Sequence, residues 1–286
     1  MNQSNETLFD RGFGLLVRHI RLFLALTLAG GIIGVVGSYL FTPVYKADAT
    51  LVASDDMLGL DQNSLSGGLS GLASLVGIGD VKGNKQSEAM AILKSRALTT
   101  AYIQTNNLLP VIFHDKWDPN AQKWKSDKKG KFPTLLDGFK EFDRSIRTVV
   151  ENRKTNLTTI SVTWEDPAVA KQWVEGIVDA ANDLLRRQAI ERSTKNLQYL
   201  QGASDKTSIM EVRASIYKLM ESEIKKQMIA TGNKDYAFRV VDPAVVPEKK
   251  SFPKRLLFAA FGAFAGSMIW FLLVTFKDRA IEAKQS

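Results

Sequence analysis

The sequence predicts an α+β protein in which a domain of strands and helices lies between two membrane-spanning helices, with one long helix projecting from the domain. Two segments without charge, 22–41 and 256–276, lie near the ends of the chain. Between them, short runs rich in Val, Ile and Thr predict strands, and a strong helical pattern begins at Pro167. These observations define the expected fold class.

Each uncharged segment is long enough to cross a membrane, because a helix rises about 1.5 Å per residue and about 20 apolar residues span the hydrocarbon core. The first is longer than the apolar region of a signal peptide, and no small-residue cleavage site follows it, so we interpret it as a retained anchor. The expected division is a tail (1–21), a transmembrane helix (22–41), a domain (42–255), a second transmembrane helix (256–276) and a tail (277–286).

Basic residues in both tails favour a cytoplasmic location for the termini. They are Arg11, Arg18, Arg21, Lys277, Arg279 and Lys284. Lys249, Lys250, Lys254 and Arg255 lie on the other side of the second span and oppose this orientation. Because the first span usually dominates, we expect the domain 42–255 to lie outside the cytoplasm.

The composition of the chain limits the kinds of binding partner that we expect. The net charge is +8, and the chain contains no cysteine, which excludes disulfides and thiolate metal sites. The basic residues are scattered rather than gathered on one helix face. An anionic lipid or glycan surface is therefore a better match than nucleic acid.

The first part of the domain mixes strand, loop and helix signals. We expect a strand at 44–54, a helix at 87–108 stopped by Pro110, and loop structure over 111–130. The glycine- and leucine-rich segment 58–79 is either a mobile loop or a loop sheltered by neighbouring subunits. Trp117 and Trp124 stand among lysines, a pattern that suits sugar or nucleic-acid binding, although tryptophans in such loops more often pin the loop to the domain.

The middle of the domain has the strongest local signals. A short helix at 135–144 precedes two strands, 146–151 and 157–164, joined by a turn at 152–156. Asp166 and Pro167 then predict the start of a helix. The Asp166 carboxylate can accept hydrogen bonds from the unpaired backbone N–H groups of the first turn, and proline has no backbone N–H that would stay unpaired there. An apolar stripe follows at helical spacing: Val169, Trp173, Ile177, Ala180 or Ala181, and Leu184.

The helical signal continues to about Leu200 while the apolar stripe thins, so we expect the distal part to project. A second helix, ended by Gly232 and Asn233, is expected to pack on it after a turn at 202–207, giving a long helical region at about 167–230. Its predicted seam consists of Ile209, Val212, Ile216, Leu219 and Ile224. A strand is then expected at 236–241, after which the chain returns to the second span.

Three groups of residues suggest assembly. Small residues at four-residue spacing in the spans allow close helix packing in lipid: Gly30, Gly34, Gly262, Gly266 and Ser267. Pro247 and Pro253 form a stiff, basic collar before the second span. Charged residues on the distal part of the long helix are either oligomer contacts or a solvated face: Arg186, Arg187, Glu191, Arg192 and Lys195.

No catalytic pattern emerges from the sequence, and we expect no catalytic, cofactor-binding or metal site. The two histidines, His19 and His114, are far apart, and nucleophile-elbow and phosphate-loop spacings are absent. Adjacent carboxylates such as Glu165 and Asp166 are typical of helix starts.

Several segments in this order resemble a family of bacterial inner-membrane proteins, the Wzz-type chain-length determinants or polysaccharide co-polymerases. They are 43–47 (PVYKA) after the first span, 108–110 (LLP), 116–118 (KWD), 162–170 (VTWEDPAVA), and Pro247 and Pro253 before 256–276. The resemblance is to the two-span form without a kinase domain. The region between Pro167 and Asn233 is short for the longer members, so a shorter projection is expected.

The resemblance implies a membrane-proximal α/β base, a long helix reaching into the periplasm and cytoplasmic termini. It also implies a homo-oligomeric ring that acts beside a membrane polysaccharide polymerase, in contact with lipid-linked glycan and membrane lipids, to set the modal length of an O-antigen-like glycan. The alternative is a two-span periplasmic sensor or receptor subunit that signals through a partner protein.

Overall fold

The computed structural model describes residues 20–54, 81–125, 131–152 and 154–285 of the chain, and for 81–86 and 276–285 it describes the backbone. Residues 1–19 of the N-terminal tail and the segment 58–79 lie outside the described residues, whereas 277–285 of the C-terminal tail are described. The chain forms two compact units: a terminal unit (1–45 with 249–286) and a central unit (46–248).

Mixed helices and strands confirm the predicted α+β class. In chain order the elements are α1 (Ile20–Ser38), β1 (Val44–Ala53), α2 (Val81–Leu93), α3 (Arg96–Thr105), α4 (Leu109–Ile112), β2 (Trp117–Asp118), β3 (Lys123–Trp124), α5 (Leu135–Glu141), β4 (Arg147–Asn152), β5 (Leu157–Trp164), α6 (Pro167–Lys206), α7 (Met210–Gly232), β6 (Phe238–Asp242), β7 (Lys250–Phe252) and α8 (Arg255–Gln285).

The terminal unit contains two helices long and apolar enough to cross a membrane, α1 and the Arg255–Thr275 part of α8. Their large apolar side chains are mostly exposed, unlike those of a core helix in a water-soluble domain. α1 ends at Ser38, three residues before the expected boundary. β7, which was not predicted, pairs antiparallel with the start of β1, Val44 opposite Phe252.

The central unit is built on a sheet with the strand order β4-β5-β1-β6. β4 and β5 form a regular antiparallel pair, with Val149 opposite Ile160, and β1 and β6 are also antiparallel, with Leu51 opposite Val240. The predicted strands at 44–54, 146–151, 157–164 and 236–241 are confirmed to within a few residues.

The hydrophobic core is formed by this sheet, the first half of α6 and residues of α2, α3 and α4. Asp166 caps α6 by accepting hydrogen bonds from the backbone N–H groups of Ala168 (2.7 Å) and Val169 (3.3 Å), as the sequence predicts. The predicted apolar stripe faces the core, with Trp173 and Ile177 fully buried. After Leu185, α6 contributes no further residue to the core cluster.

The prediction of one continuous helix at 87–108 is wrong, because a break at Ser95 separates α2 from α3. The Ser95 hydroxyl accepts a hydrogen bond from the Leu98 backbone N–H (3.1 Å), which starts a new helix. Arg147 then fills the break: its buried guanidinium donates to the carbonyl oxygens of Leu93 (2.9 Å) and Lys94 (3.2 Å). These carbonyls at the end of α2 are thus satisfied by a side chain from β4.

The segment 111–130, expected to be a loop, contains regular structure in its described part. α4 and a 3₁₀ turn (His114–Lys116) lead into a short hairpin of β2 and β3, in which Trp117 lies opposite Trp124. The prediction missed this hairpin because two-residue strands carry no periodic pattern.

The long helix α6 has 40 residues and continues through Gly202, so the predicted turn at 202–207 is wrong. A glycine inside a helix costs only about 1 kcal/mol, which neighbouring residues can offset. The turn lies at 207–209, and α7 ends at Gly232 as predicted.

The predicted seam of α7 is also wrong. Ile216 is buried, but Ile209, Val212, Leu219 and Ile224 are exposed. The side of α7 that faces α6 is of mixed character: Arg213, Glu223 and Gln227 are polar, and Ile216, Met220 and Ala230 are apolar. The facing side of α6 includes buried Ser193 and Ser204, so polar contacts occur among the apolar ones.

Glu223 is the central polar link between the two helices. Burial raises its pKa, but hydrogen bonds from Lys226, Ser193 and Asn196 outweigh burial, and the pKa lies below its ordinary value. Gln227 adds a contact to the Thr194 hydroxyl at 3.4 Å. A carboxylate with a lowered pKa stabilises the fold above its unfolded-state pKa, about 4.3, and this contribution is lost as the pH falls through the folded-state value.

We predict that Glu223→Gln lowers the melting temperature of the full-length protein in detergent at pH 7 by a few degrees, because a charge-assisted hydrogen bond contributes about 1 to 2 kcal/mol. The difference from the parent should close at acid pH, where Glu223 itself is protonated. The matched control is Glu221→Gln, an exposed glutamate on the same helix. An equal loss at both pH values would contradict the assignment.

Candidate functional site

The backbones of α1 and α8 approach each other closely in the terminal unit, along a contact lined by glycine. A Cβ atom added to Gly30 would overlap the carbonyl oxygen of Gly262, and one added to Gly262 would overlap the carbonyl oxygen of Gly30. No L-residue with a side chain fits at either position without moving a backbone.

The contact continues in both directions along the pair. A Cβ at Gly34 would overlap the Phe258 carbonyl oxygen, and one at Gly266 would overlap that of Leu26. Gly37 is different, because nothing lies within 4 Å of an added Cβ there. The structure therefore brings the four glycines singled out in the sequence to one crossing. Such close approach is how helices associate in lipid, where apolar side chains gain little from leaving their surroundings.

The remaining predicted positions are not all at this crossing. The Ser267 hydroxyl donates to the carbonyl oxygen of Phe264 in its own helix (2.7 Å). Pro253 follows β7, beside an aromatic cluster in which the Phe41 ring lies 5.8 Å from that of Phe252 and 5.4 Å from that of Phe258. Pro247 is a half-buried residue of the central unit, outside any helix or strand.

An apolar groove of about 670 Å³ runs along one face of the α1 and α8 pair. Its lining is Leu24, Thr27, Leu28, Gly31, Ile32, Val35, Val36, Leu256, Ala259, Ala260 and Ala263. A wall of this composition matches lipid chains or another apolar helix and offers no group suited to chemistry.

The charged residues singled out on α6 are mostly paired within the chain. Arg186 binds Asp183 (2.7 Å), Lys195 binds Glu191 (2.7 Å), and Arg192 lies 3.9 Å from Glu88. The hydrogen bond from Lys195 holds the pKa of Glu191 below its ordinary value. Arg187 is exposed. Such surface pairs contribute little to stability, and their role as oligomer contacts stays a prediction.

Sequence reasoning missed an exposed apolar surface on α7, which we call the α7 stripe: Met210, Tyr217, Ile224 and Met228. These side chains are 71%, 54%, 46% and 68% exposed. Their spacing of seven, seven and four residues places them on one side of the helix. The sequence signal was present, but Ile224 was assigned to the buried seam.

The Trp117 and Trp124 rings of the β2–β3 hairpin contact each other edge to face, with centroids 4.9 Å apart. Neither ring belongs to the hydrophobic core or to the side chains packed against it, whereas Phe113 does. These tryptophans therefore do not attach the loop to the hydrophobic core, whereas Phe113 packs against it.

No cluster of three or more His, Cys, Asp or Glu that could hold a metal ion occurs among the described residues. Tyr102 has a raised pKa, about 12, because of burial and the nearby charge of Asp179. Its hydroxyl packs where a Cβ on Gly176 would lie, so it serves packing of α3 against α6.

Comparison with known families identifies one segment. Residues 10–106 match the family model of the chain length determinant protein, Wzz. The chain carries a Wzz region. It includes α1, β1, α2 and α3, and the match confirms the resemblance drawn from the sequence. The comparison with curated proteins finds no match.

Three solved structures are similar to the chain at low identity. One is a full-length bacterial polysaccharide co-polymerase, at 12% identity and a TM-score of 0.39, covering 94% of this chain and 97% of that one. A fragment of WzzB, a polysaccharide co-polymerase from Salmonella Typhimurium, has 12% identity and a TM-score of 0.32, with 73% and 100% covered. A mutant Shigella flexneri lipopolysaccharide O-antigen chain-length regulator has 10% identity and a TM-score of 0.22, with 73% and 100% covered.

We predict that the glycine crossing can be tested by a disulfide between Gly31→Cys and Ala263→Cys. An ideal Cβ on Gly31 lies 3.8 Å from the Ala263 Cβ, the separation found in disulfides, and the chain has no other cysteine. Oxidation in membranes should give a crosslinked monomer on a gel. Adding Gly34→Leu should lower the crosslink yield severalfold, because the new side chain collides with the Phe258 backbone.

Gly37→Leu is the matched control, since it adds the same side chain to the same helix in open space. Crosslinking that is equally efficient with Gly34→Leu would show that the two helices do not depend on this glycine for their approach.

Proposed function

We propose that the chain is a non-enzymatic regulator of polysaccharide chain length in the bacterial inner membrane. The match of residues 10–106 to the Wzz family carries this proposal. α1 and α8 anchor the protein, both termini lie in the cytoplasm, and the domain between the spans lies in the periplasm. The two long apolar helices and the basic tails support this arrangement.

The regulator acts on a membrane polysaccharide polymerase rather than on a chemical bond. By holding the growing lipid-linked glycan beside the polymerase, an oligomeric scaffold biases how many repeat units are added before release. Such a role requires extended surfaces for protein and glycan. The α7 stripe, the helix pair α1 and α8, and the exposed hairpin are surfaces of that kind.

The homo-oligomer is supported by the exposed side of α7. That side carries the four large apolar side chains of the α7 stripe, none of which is covered within the described part of the chain. A continuous apolar surface of this kind on a helix is typical of a subunit interface. In a ring each subunit would present the α7 stripe to a different surface of its neighbour, because ring contacts are head to tail.

The first test is genetic. Deleting the gene should shift or broaden the ladder of surface polysaccharide lengths on a gel, and the wild-type gene on a plasmid should restore it. An unchanged ladder after deletion would overturn the proposal. A restored ladder from a variant that lacks α8 would contradict the role given to the anchor.

The second prediction concerns the α7 stripe. Tyr217→Lys combined with Ile224→Lys should reduce the mass of the detergent-extracted protein measured by light scattering, because charges replace apolar contacts between subunits. The same variant should fail to restore the ladder in the deletion strain.

Ser215→Lys combined with Ser222→Lys is the matched control, with two exposed lysines at the same spacing on another side of α7. Wild-type mass and a wild-type ladder from the Tyr217 and Ile224 variant would exclude the α7 stripe as an interface. A wild-type protein that is itself monomeric or dimeric would favour the receptor alternative.

A further inference from the structure

The β2–β3 hairpin keeps two tryptophans away from the hydrophobic core. Their rings touch only edge to face, at 4.9 Å and an interplanar angle of 70°, and both are half-buried. Burying an aromatic side chain of this size stabilises a fold by a few kcal/mol. A hairpin that leaves two such rings outside the core therefore presents an apolar surface to a ligand or partner.

The hairpin is held in shape by its own hydrogen bonds. The Asp118 carboxylate accepts from the backbone N–H groups of Asn120 (3.0 Å) and Ala121 (3.2 Å), which fixes the turn. The Lys125 backbone N–H donates to the Lys116 carbonyl oxygen (2.8 Å), which extends the pairing of β2 and β3. A surface formed in advance in this way binds a ligand with little loss of conformational entropy.

Strand geometry places the two rings on one face. Trp117 and Trp124 are directly opposite in the antiparallel pair, so their side chains share a face. Their neighbours Lys116, Asp118 and Lys123 alternate to the other face. The result is a small aromatic surface on one face of the hairpin, with exposed Lys116 and Lys123 on the other face.

The ligand that matches this surface has an apolar ring face and a polar edge. An indole offers an apolar body and an N–H donor, and among the described residues neither indole N–H has a hydrogen-bond partner. A pyranose presents C–H groups on its face and hydroxyls at its edge. An indole face can stack on those C–H groups while its N–H donates to a hydroxyl.

A lipid surface is the competing ligand, because Trp and Lys are also enriched at membrane interfaces. Insertion into lipid would bring polar neighbours along with the rings. His114, Asp115 and Asn120 are all exposed around the pair, and moving charged or amide groups from water is costly. The small extent of the aromatic surface favours a sugar.

From this geometry we propose that the Trp117 and Trp124 hairpin is a glycan-binding site, at which the indole faces stack on sugar rings of the regulated polysaccharide. This proposal rests on the proposed function, which supplies the identity of the glycan as the polysaccharide whose length is controlled. The site retains the growing chain at the subunit surface.

The test uses the full-length protein in detergent and, as probe, the surface polysaccharide of the producing bacterium, released from its lipid by mild acid. Titration calorimetry should show binding by the parent. Trp117→Ala and Trp124→Ala should each weaken binding at least about tenfold, the scale of stacking on an aromatic ring. Trp117→Phe and Trp124→Phe keep a ring face and should recover most of the affinity.

Two matched variants serve as controls. Lys123→Gln changes the opposite face of the hairpin. Tyr199→Ala removes an aromatic ring from α6 whose side chain is 75% exposed. The Lys123→Gln and Tyr199→Ala variants should both bind the polysaccharide with an affinity close to that of the parent. The alanine variants should keep the parent melting temperature and detergent-extracted mass, because neither tryptophan packs on the core.

The outcomes separate this site from the proposed function. Absence of polysaccharide binding by the parent, parent-like affinity of the alanine variants, or binding only to phosphatidylglycerol vesicles would each overturn the glycan site. If the wild-type gene fails to restore the length ladder, the proposed function fails whatever the calorimetry shows. If it restores the ladder while the alanine variants bind normally, only the hairpin proposal falls.

Discussion

The central unit depends on the attachment of the returning chain to the long helix at Asn182. This buried side chain donates to the Phe238 carbonyl oxygen (3.0 Å) and accepts from the backbone N–H groups of Ala237 (3.0 Å) and Phe238 (2.7 Å). It thus pairs with β6 much as a neighbouring strand would. α6 leaves the core three residues later, at Leu185, and the chain returns at Phe238. The Asn182 side chain therefore joins the point where α6 leaves the core to the point where the chain returns after α7.

Beyond that point the two helices have little core to share, and their link is correspondingly modest. The charge-assisted hydrogen bonds of Glu223 contribute about 1 to 2 kcal/mol and that of Gln227 about 1 kcal/mol, and most of the stability of a helix in a protein comes from its packing. Contacts between the exposed α7 stripe and a neighbouring subunit would therefore add to the stability of this region.

The sequence predicted the elements whose signals are local. Asp166 and Pro167 start α6 because a cap and a missing donor act within one turn, and the strands at 157–164 and 44–54 follow from their composition. The predicted seam of α7 was wrong because the buried side of α7 depends on the facing surface of α6, which after Leu185 mixes buried Ser193 and Ser204 with apolar residues. The break at Ser95 depends on Arg147, which lies some fifty residues away in sequence, and the hairpin of Trp117 and Trp124 is too short to have a period. The four glycines were found because spacing alone places them on one face of each helix.

The helix pairs α6–α7 and α1–α8 both require two helices to pack closely, but in different surroundings. In water, α6 and α7 can meet through polar side chains, because any that lose a partner can bind solvent instead. In lipid, no such substitute exists and apolar side chains gain nothing by leaving the surrounding chains, so α1 and α8 approach through glycines that bring the backbones together. A packing contact made by backbone tolerates almost no added atoms. Small changes at Gly30, Gly34, Gly262 or Gly266 therefore act on the membrane pair without requiring any change in the central unit, which has its own core.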